Sequence, residues 1–300
     1  MRTICFFNFG KSCVLELLVA IYTLRKHYTG HITLCLTKND KWNEQLAPQL
    51  NNLGVNIHWI DLDMTKRNSK CYIKPDIFKY LFTKTDYTSV IMCDGDLLFL
   101  KPIDDLWTPM EEQGCLLTQF CDWKTNGSIM KGRIKQLSKA LDDEQINKLC
   151  NKHPAINIGV MGFTKDKGGK AFRKWSSLTH KMAGIHLGDE ISISVVPPYY
   201  NCYITGPEFN ASAKLSDMNT IENNIVVHYH GGSQGGGPED AVYESRRRSS
   251  RLWFSALNSL LKSNTVPEAV SWIEYAKGGV KKVIDSNPGI LDQCSLEFIL

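Results

Sequence analysis

The stretch SVIMCDGDLLFL, residues 89–100, decides the fold class and the chemistry of this 300-residue chain. Its apolar first half predicts a buried strand over residues 89–93, which ends at Asp94 and Asp96 with Gly95 between them. Two carboxylates this close repel each other, and partial burial raises the cost of keeping both ionised. A divalent cation would remove that cost, and Gly95 would let a bound group approach the backbone. The alternative is an ordinary Asp-Gly turn, but the apolar residues on both sides favour a metal site.

Strand and helix signals alternate through the first hundred residues. Strands are predicted at residues 3–9, 31–36, 55–60 and 89–93. Helices are predicted at residues 14–24, 43–53 and 76–82. Ser12, Gly54 and Pro75 lie at the ends of these helices, where their residue types are favoured. The alternation predicts an α/β fold with a mainly parallel central sheet, in which ligands bind beyond the carboxyl ends of the strands.

The alternation loosens after residue 110. Further strands are predicted at residues 115–119, 156–163 and 225–229. Further helices are predicted at residues 170–182, 252–261 and 268–284. Because the sequence has no internal repeat and no clear linker, we expect a catalytic domain over residues 1–238. A helical C-terminal extension over residues 239–300 would pack on the same domain.

Composition and charge narrow the function classes. The chain is 43% hydrophobic and 22% charged, which is typical of a globular protein, and its net charge of +4 does not indicate a nucleic-acid binder. The ten cysteines are scattered without a C-x-x-C pair, so we expect a reducing compartment and neither a disulfide framework nor a zinc site. No signal-peptide pattern or membrane-spanning apolar run is present. We therefore expect a cytoplasmic protein with no transmembrane segment and at most peripheral membrane contact.

Four short blocks resemble glycosyltransferase family 8, the glycogenin and lipopolysaccharide galactosyltransferase group, over roughly residues 1–235. The blocks are the opening strand with Asn8, Lys74 leading into Asp94-Gly95-Asp96, the segment 154–161 with Asn157 followed by Gly188-Asp189-Glu190, and Val226–Gly231 with His228. Their order and spacing make the resemblance more specific than any block alone. It implies a GT-A type, Rossmann-like fold of the nucleotide-diphospho-sugar transferases.

The resemblance also implies roles for individual residues. Asp94, Asp96 and His228 would hold Mn²⁺ or Mg²⁺, a donor set that suits either ion. The residues expected to bind the nucleotide sugar with them are Asn8, Lys74, Gly95 and Gly231. Asn157 would bind sugar hydroxyls and Asp189 would face the anomeric region.

Each of the last two residues also has a simpler interpretation. Asp189 could be a helix N-cap, and Asn157 could be a turn residue at a strand end. Lys74 could contact phosphate, but we favour a solvated helix start for it. The expected activity is metal-dependent transfer of a sugar, with retention, from a UDP-sugar to a glycan or other hydroxyl acceptor.

One departure from the family keeps other functions open. The family has a diphosphate-binding lysine where this chain has Gln234, and His230, Lys74 or the basic cluster 246–251 could replace that charge. The missing lysine suggests a non-catalytic binder of sugar nucleotides or carbohydrate. A phosphatase-like hydrolase with Asp94 as nucleophile is a further alternative, although that class usually carries its Asp-x-Asp motif on the first strand.

Overall fold

The computed structural model of the protein describes residues 1–8, 14–38, 40–61, 69–123, 127–139, 141–182, 188–213, 220–229 and 250–266. These residues cluster into two compact units. Unit 1 comprises Met1–Cys5, Asp61–Cys93 and Asp104–Asn210. Unit 2 comprises Phe6–Ile60, Asp94–Ile103 and Ala211–Leu300.

The described strands and helices are numbered in chain order. The strands are β1 (Arg2–Asn8), β2 (Ile32–Thr37), β3 (Val55–Ile60), β4 (Ser89–Cys93), β5 (Leu97–Phe99), β6 (Cys115–Cys121), β7 (Ala155–Thr164), β8 (Tyr203–Thr205), β9 (Ala211–Ser212) and β10 (Val226–His228). The α-helices are α1 (Val14–His27), α2 (Lys41–Gln49), α3 (Ser69–Lys84), α4 (Trp107–Gln113), α5 (Gly127–Leu137), α6 (Asp143–Lys152), α7 (Gly169–Lys181), α8 (Gly188–Ile193) and α9 (Ser250–Lys262). Short 3₁₀ helices lie at Asn51–Leu53, Asp104–Leu106, Pro207–Phe209 and Ile221–Asn223.

Seven strands form the larger sheet, in the order β3-β2-β1-β4-β7-β6-β8. The pairs β2–β3, β1–β4 and β6–β8 are parallel. Strand β7 runs antiparallel to both of its neighbours, β4 and β6. The predicted α/β fold with a mainly parallel sheet is confirmed, with β7 as the exception. A second sheet has the order β5-β10-β9, in which β10 is antiparallel to β5 and parallel to β9.

Aromatic side chains from α3, α7 and β7 form the core of unit 1. The Phe163 ring stacks on Trp175 with centroids 5.7 Å apart, and Phe78 meets Phe163 edge-on at 5.2 Å. Such pairs add about 0.5–1.5 kcal/mol to the stabilisation from area burial. Strand β4 is buried along its whole length, as its continuous apolar run predicts.

Helix α1 is the most buried helix of unit 2. Every residue from Val14 to Leu24 is buried, including Glu16 and Thr23. The apolar spacing predicts one buried face, but the helix is enclosed more widely. Thr23 Oγ1 accepts a hydrogen bond from the Phe99 backbone N–H at 3.2 Å. This bond fixes strand β5 against α1, directly after the acidic pair.

Two predicted helices differ from the structure. The helix predicted at residues 76–82 begins earlier, at Ser69, so that Pro75 lies inside α3 and not in its first turn. Proline removes one helical hydrogen bond, and a sixteen-residue helix tolerates that loss. The helix predicted at residues 43–53 divides into α2 and the 3₁₀ helix Asn51–Leu53. Gly54 ends it at φ +62°, the left-handed conformation that favours glycine.

The C-terminal part of the chain is described only in α9. This helix belongs to unit 2, where the Tyr22 hydroxyl of α1 donates to the Ser259 carbonyl at 2.9 Å and Lys26 Nζ donates to Ser259 Oγ at 2.8 Å. The proposed boundary at residue 238, the helix at 268–284 and the Ser12 cap lie outside the described residues. None of the described helices is long and apolar enough to cross a membrane.

Candidate metal centre and sugar-site residues

Three predicted metal ligands of unit 2 come together at the ends of β4 and β10. Strands β5 and β10 pair with His228 opposite Leu97, so that Asp96, one residue before Leu97, lies beside the imidazole. His228 Nε2 is 3.1 Å from Asp96 Oδ1 and 3.7 Å from Asp94 Oδ2. The Tyr229 N–H donates to the Asp96 carbonyl at 3.0 Å, which continues the pairing past the strand end. We call Asp94, Asp96 and His228 the metal cluster.

The geometry and chemistry of the metal cluster fit a divalent cation. One potential ligand atom from each residue lies within 4.8 Å of the others. The carboxylate side chains of Asp94 and Asp96 are 22% and 19% exposed, whereas the His228 side chain is 4% exposed. Two carboxylate oxygens and one imidazole nitrogen suit Mn²⁺ or Mg²⁺, and the nitrogen favours Mn²⁺. These three residues could therefore hold the ion that the sequence predicts.

Gly95 lies in the turn between the two aspartates. A Cβ added there would lie 3.5 Å from the Leu17 Cβ, which is ordinary van der Waals contact. Packing within unit 2 therefore does not require glycine at this position. The predicted close approach of a bound group to Gly95 stays a prediction.

Asn8 lies at the end of β1 in a buried amide network of unit 2. Asn8 Nδ2 donates to Asn43 Oδ1 at 2.8 Å, and Asn43 Nδ2 lies 3.1 Å from the Thr37 carbonyl and 2.9 Å from Thr37 Oγ1. Asn8 is 5% exposed and Asn43 is fully buried. This network joins the carboxyl ends of β1 and β2, where a sheet of this type binds ligands. Contact of Asn8 with a nucleotide stays a prediction.

Lys74 of unit 1 is not at a solvated helix start, and that expectation is wrong. It lies inside α3, is 5% exposed, and its Nζ donates to the Ile158 carbonyl of β7 at 2.9 Å. The cause is the earlier start of α3, which moves residue 74 from the helix end onto a face packed against the sheet. The alternative role, phosphate contact, stays a prediction.

Asn157 of unit 1 lies inside β7 and is 4% exposed, so it is not a turn residue. Its Oδ1 accepts from the Gly159 N–H at 2.8 Å and from Asn210 Nδ2 at 2.6 Å. Its Nδ2 donates to Glu190 Oε2 at 3.3 Å. The carboxamide is therefore held by three partners in one orientation.

Asp189 lies in the first turn of α8. Its Oδ1 accepts from the Glu190 N–H at 3.0 Å, and its carbonyl accepts from Trp175 Nε1 at 2.9 Å. An acidic side chain in the first turn stabilises a helix through the backbone dipole. Asp189 is the second residue of α8 and not its N-cap, so that interpretation is wrong, and its role beside a sugar stays a prediction.

Sequence reasoning missed Arg133, a buried cation of unit 1. Its Nη2 pairs with Glu190 Oε1, its Nη1 donates to the Ile156 carbonyl at 3.2 Å, and its guanidinium lies 4.8 Å from the Phe120 ring centroid. Burial lowers the pKa of Arg133 to about 10, so it remains charged at neutral pH. Its spacing from Met130 and Leu137, both buried, places it on the apolar stripe of α5. An arginine there requires a partner, and that signal was available in the sequence.

Thr118 and Asn210 complete this group of polar side chains. Thr118 Oγ1 lies 2.9 Å from the Asn157 carbonyl, and Asn210 Nδ2 donates to Thr118 Oγ1 at 2.9 Å. All five side chains are buried. We call Arg133, Glu190, Asn157, Asn210 and Thr118 the Asn157 network.

Several predicted site residues lie outside the described part of the chain. They are Gly231, His230, Gln234 and residues 246–249 of the basic cluster.

Comparisons with known proteins identify the fold. No protein-family model and no curated protein matches the chain. Among solved structures, the galactosyltransferase LgtC, in complex with donor and acceptor sugar analogues, matches with a TM-score of 0.55 and 14% identity over 84% of this chain and 95% of LgtC. Mouse xyloside xylosyltransferase 1 matches with a TM-score of 0.52 and 12% identity over 76% of this chain and 97% of its own. The bifunctional glycosyltransferase WbbM matches with a TM-score of 0.51 and 13% identity over 81% of this chain and 49% of its own.

These neighbours are glycosyltransferases of the GT-A fold, and LgtC belongs to glycosyltransferase family 8. The chain therefore has the GT-A fold, and the resemblance seen in the sequence is confirmed at the level of the fold.

Proposed function

We propose that this protein is a metal-dependent glycosyltransferase that moves a sugar from a nucleotide-diphosphate donor, a UDP-sugar, to a hydroxyl of a glycan or similar acceptor. One observation carries the proposal: on a GT-A fold, the side chains of Asp94, Asp96 and His228 converge within 4.8 Å of one another after a buried strand. Converging carboxylates are costly without a cation. A cation that also binds a diphosphate explains why the cluster lies at strand ends.

The residues of the metal cluster have distinct tasks in this proposal. Asp94 and Asp96 supply two anionic oxygens, and the buried imidazole of His228 supplies a nitrogen in a fixed position. Mn²⁺ bound there would act as a Lewis acid that neutralises the charge of the leaving nucleoside diphosphate. An ion held by these three residues would also bind diphosphate oxygens, because Mn²⁺ and Mg²⁺ prefer more ligands than the three that the cluster supplies.

The sugar contacts of the proposal are those that the resemblance to family 8 implies. Asn157 would donate a hydrogen bond to a sugar hydroxyl, and Asp189 would stabilise positive charge that develops at the anomeric carbon or orient the acceptor. We propose retention of configuration because family 8, which the sequence resembles, is a retaining family. Where the family has a diphosphate-binding lysine this chain has Gln234, and His230, Lys74 or the basic cluster 246–251 would supply that positive charge instead.

Release of UDP from UDP-sugars tests the activity. Wild-type protein with Mn²⁺ is expected to release UDP from at least one of UDP-glucose, UDP-galactose and UDP-xylose, slowly without an acceptor. EDTA and the variant Asp94→Ala should each abolish the release. Protein that binds UDP but releases none would be a non-catalytic binder. Metal-dependent hydrolysis of p-nitrophenyl phosphate without UDP binding would instead identify the phosphatase-like hydrolase.

A further inference from the structure

The carboxylate of Glu190 is engaged at both oxygens inside unit 1. Oε1 pairs with Arg133 Nη2 and Oε2 accepts from Asn157 Nδ2 at 3.3 Å, and the Arg133 and Glu190 side chains are each 8% exposed. From this geometry we infer that Arg133 and Glu190 form a positioning pair that holds the Asn157 carboxamide for the donor sugar. Glu190 is then not the nucleophile or base of the transfer. This inference rests on the proposed function.

The orientation of the Asn157 carboxamide follows from the chemistry of its three partners. The Gly159 N–H and Asn210 Nδ2 are donors, so they require the carboxamide oxygen on their side. The ionised Glu190 carboxylate only accepts, so it requires the nitrogen on its side. In a flipped carboxamide the NH2 group of Asn157 would face the two donors, and its oxygen would face the Glu190 carboxylate, so that none of these hydrogen bonds could form. Among the described residues no side chain or carbonyl accepts the second Nδ2 hydrogen, which is therefore available for a sugar hydroxyl.

Arg133 supplies the charge that keeps Glu190 in this role. A buried carboxylate without a cation is costly and would take up a proton. A protonated Glu190 could donate to Asn157 and would no longer fix its nitrogen. The guanidinium prevents this, and it is itself held by the Ile156 carbonyl and the Phe120 ring. The two opposite charges cancel, so the pair presents no net charge to a substrate.

The same contacts make Glu190 a poor nucleophile. A nucleophilic carboxylate must direct a lone pair of one oxygen at the anomeric carbon. One oxygen of Glu190 is bound by a charge-assisted hydrogen bond to an arginine and the other by an amide. Attack would require the breakage of at least one of these bonds in a buried site.

The test compares the affinities for a UDP-sugar and for UDP, both with Mn²⁺. The probes are UDP-glucose, UDP-galactose and UDP-xylose. We call the dissociation constant of UDP divided by that of the UDP-sugar the affinity ratio, and it reports contacts to the sugar alone. Asn157→Ala and Glu190→Ala should each reduce the ratio by about three- to tenfold, the effect of one lost hydrogen bond, and leave the UDP affinity unchanged. Because Glu190 acts through Asn157, the double variant should lose no more than either single variant.

If a single variant fails to fold, a double variant that lacks both charges, called the neutral pair, distinguishes a positioning role of Glu190 from a catalytic role. Arg133→Met with Glu190→Gln removes both charges together and keeps an amide oxygen that can accept from Asn157. Because a glutamine can also turn its NH2 group toward Asn157, we expect this double variant to lower the affinity ratio by about three- to tenfold, as Glu190→Ala does, while the kcat of UDP release stays within about tenfold of wild type. Glu111→Gln is the matched control, since Glu111 is another arginine-paired glutamate of unit 1, and it should change neither quantity.

Two results would overturn the inference. A fall in kcat of about a thousandfold or more in the neutral pair, with the affinity ratio unchanged, would make Glu190 a catalytic residue. A wild-type ratio of one for all three sugars would show that Asn157 holds no donor sugar. If wild-type protein fails to bind UDP at all, the proposed function itself fails. UDP binding by wild type is therefore measured before any variant is made.

Discussion

The metal cluster of unit 2 and the Asn157 network of unit 1 both contain buried or half-buried carboxylates, but they balance charge differently. In the metal cluster two carboxylates, about one-fifth exposed, converge on one imidazole. In the Asn157 network a single carboxylate is 8% exposed and paired with an arginine of the same unit. Converging carboxylates gain most from an added divalent cation, whereas a buried ion pair already contains its own countercharge. The comparison separates a site that binds a cation from a network that holds side chains in place.

Loss of the internal countercharge should produce the largest change in stability. Arg133→Met leaves the Glu190 carboxylate buried without its cation, and we expect the free energy of unfolding to fall by about 3–5 kcal/mol. Asp94→Ala, measured without metal, removes one of two like charges and should change it by less than about 0.5 kcal/mol or increase it. Urea denaturation followed by circular dichroism measures both. Equal losses in the two variants would contradict the distinction.

Added metal should stabilise the protein through the metal cluster alone. At a free Mn²⁺ concentration of about 100 times the dissociation constant, the free energy of unfolding should rise by about 2.7 kcal/mol. The gain should vanish in Asp96→Asn and persist in Glu111→Gln, which alters a carboxylate away from the cluster. The same urea denaturation with and without Mn²⁺ measures it. A gain that survives in Asp96→Asn would place the ion elsewhere.

The imidazole should decide which ion the cluster prefers. His228→Gln replaces a nitrogen ligand, and Mn²⁺ affinity should fall by about tenfold, or about 1.4 kcal/mol. Mg²⁺ affinity should fall less, because Mg²⁺ prefers oxygen ligands. Competition with a fluorescent chelator gives both constants, and His58→Gln in β3 is the control. Equal loss for both ions would show that His228 acts on the cluster only through packing.

An exposed ion pair of unit 1 shows what pairing contributes without burial. Arg2 Nε and Nη2 donate to the two oxygens of Glu111 at 2.7 and 2.5 Å, and this bond holds the pKa of Glu111 below its usual value. Since the side chains are 50% and 32% exposed, Glu111→Gln should cost only about 0.5–1 kcal/mol at neutral pH.

The loss in the free energy of unfolding caused by Glu111→Gln should depend on pH in one direction. Because the folded pKa is lowered, the contribution of Glu111 is complete above the ordinary glutamate pKa and disappears as pH falls through the lowered value. Urea denaturation of wild type and Glu111→Gln at neutral and acidic pH measures it. A difference between the two proteins that grows on acidification would contradict the assignment.

The fold and the metal cluster were the parts most accessible from the sequence. The bounds of β3 and β4 match the prediction, because the alternating apolar residues of β3 and the continuous apolar run of β4 are each a local signal for a strand, and each is bounded by turn or polar residues. Asp94 and Asp96 follow directly from the end of β4. His228 required the resemblance, because a histidine at a strand end is ordinary until the pairing of β5 with β10 places it opposite Leu97.

The parts that the sequence did not reveal depend on contacts between distant segments. The antiparallel direction of β7 leaves no local signal, since parallel and antiparallel buried strands share the same apolar pattern. The burial of Lys74 and Arg133 depends on which carbonyl or carboxylate lies opposite, and their partners are 84 and 57 residues away in the chain. Propensity and periodicity describe one segment at a time and cannot supply such pairs.

Titration of UDP into the purified protein by calorimetry tests the central claim most directly. Wild-type protein with Mn²⁺ should bind UDP, and both EDTA and Asp94→Ala should abolish that binding, with Glu111→Gln as the folded control that keeps it. Binding that depends on the metal and on Asp94 together would establish the metal cluster as the donor site. No binding in Mn²⁺, or equal binding in EDTA and in Asp94→Ala, would contradict the proposed function.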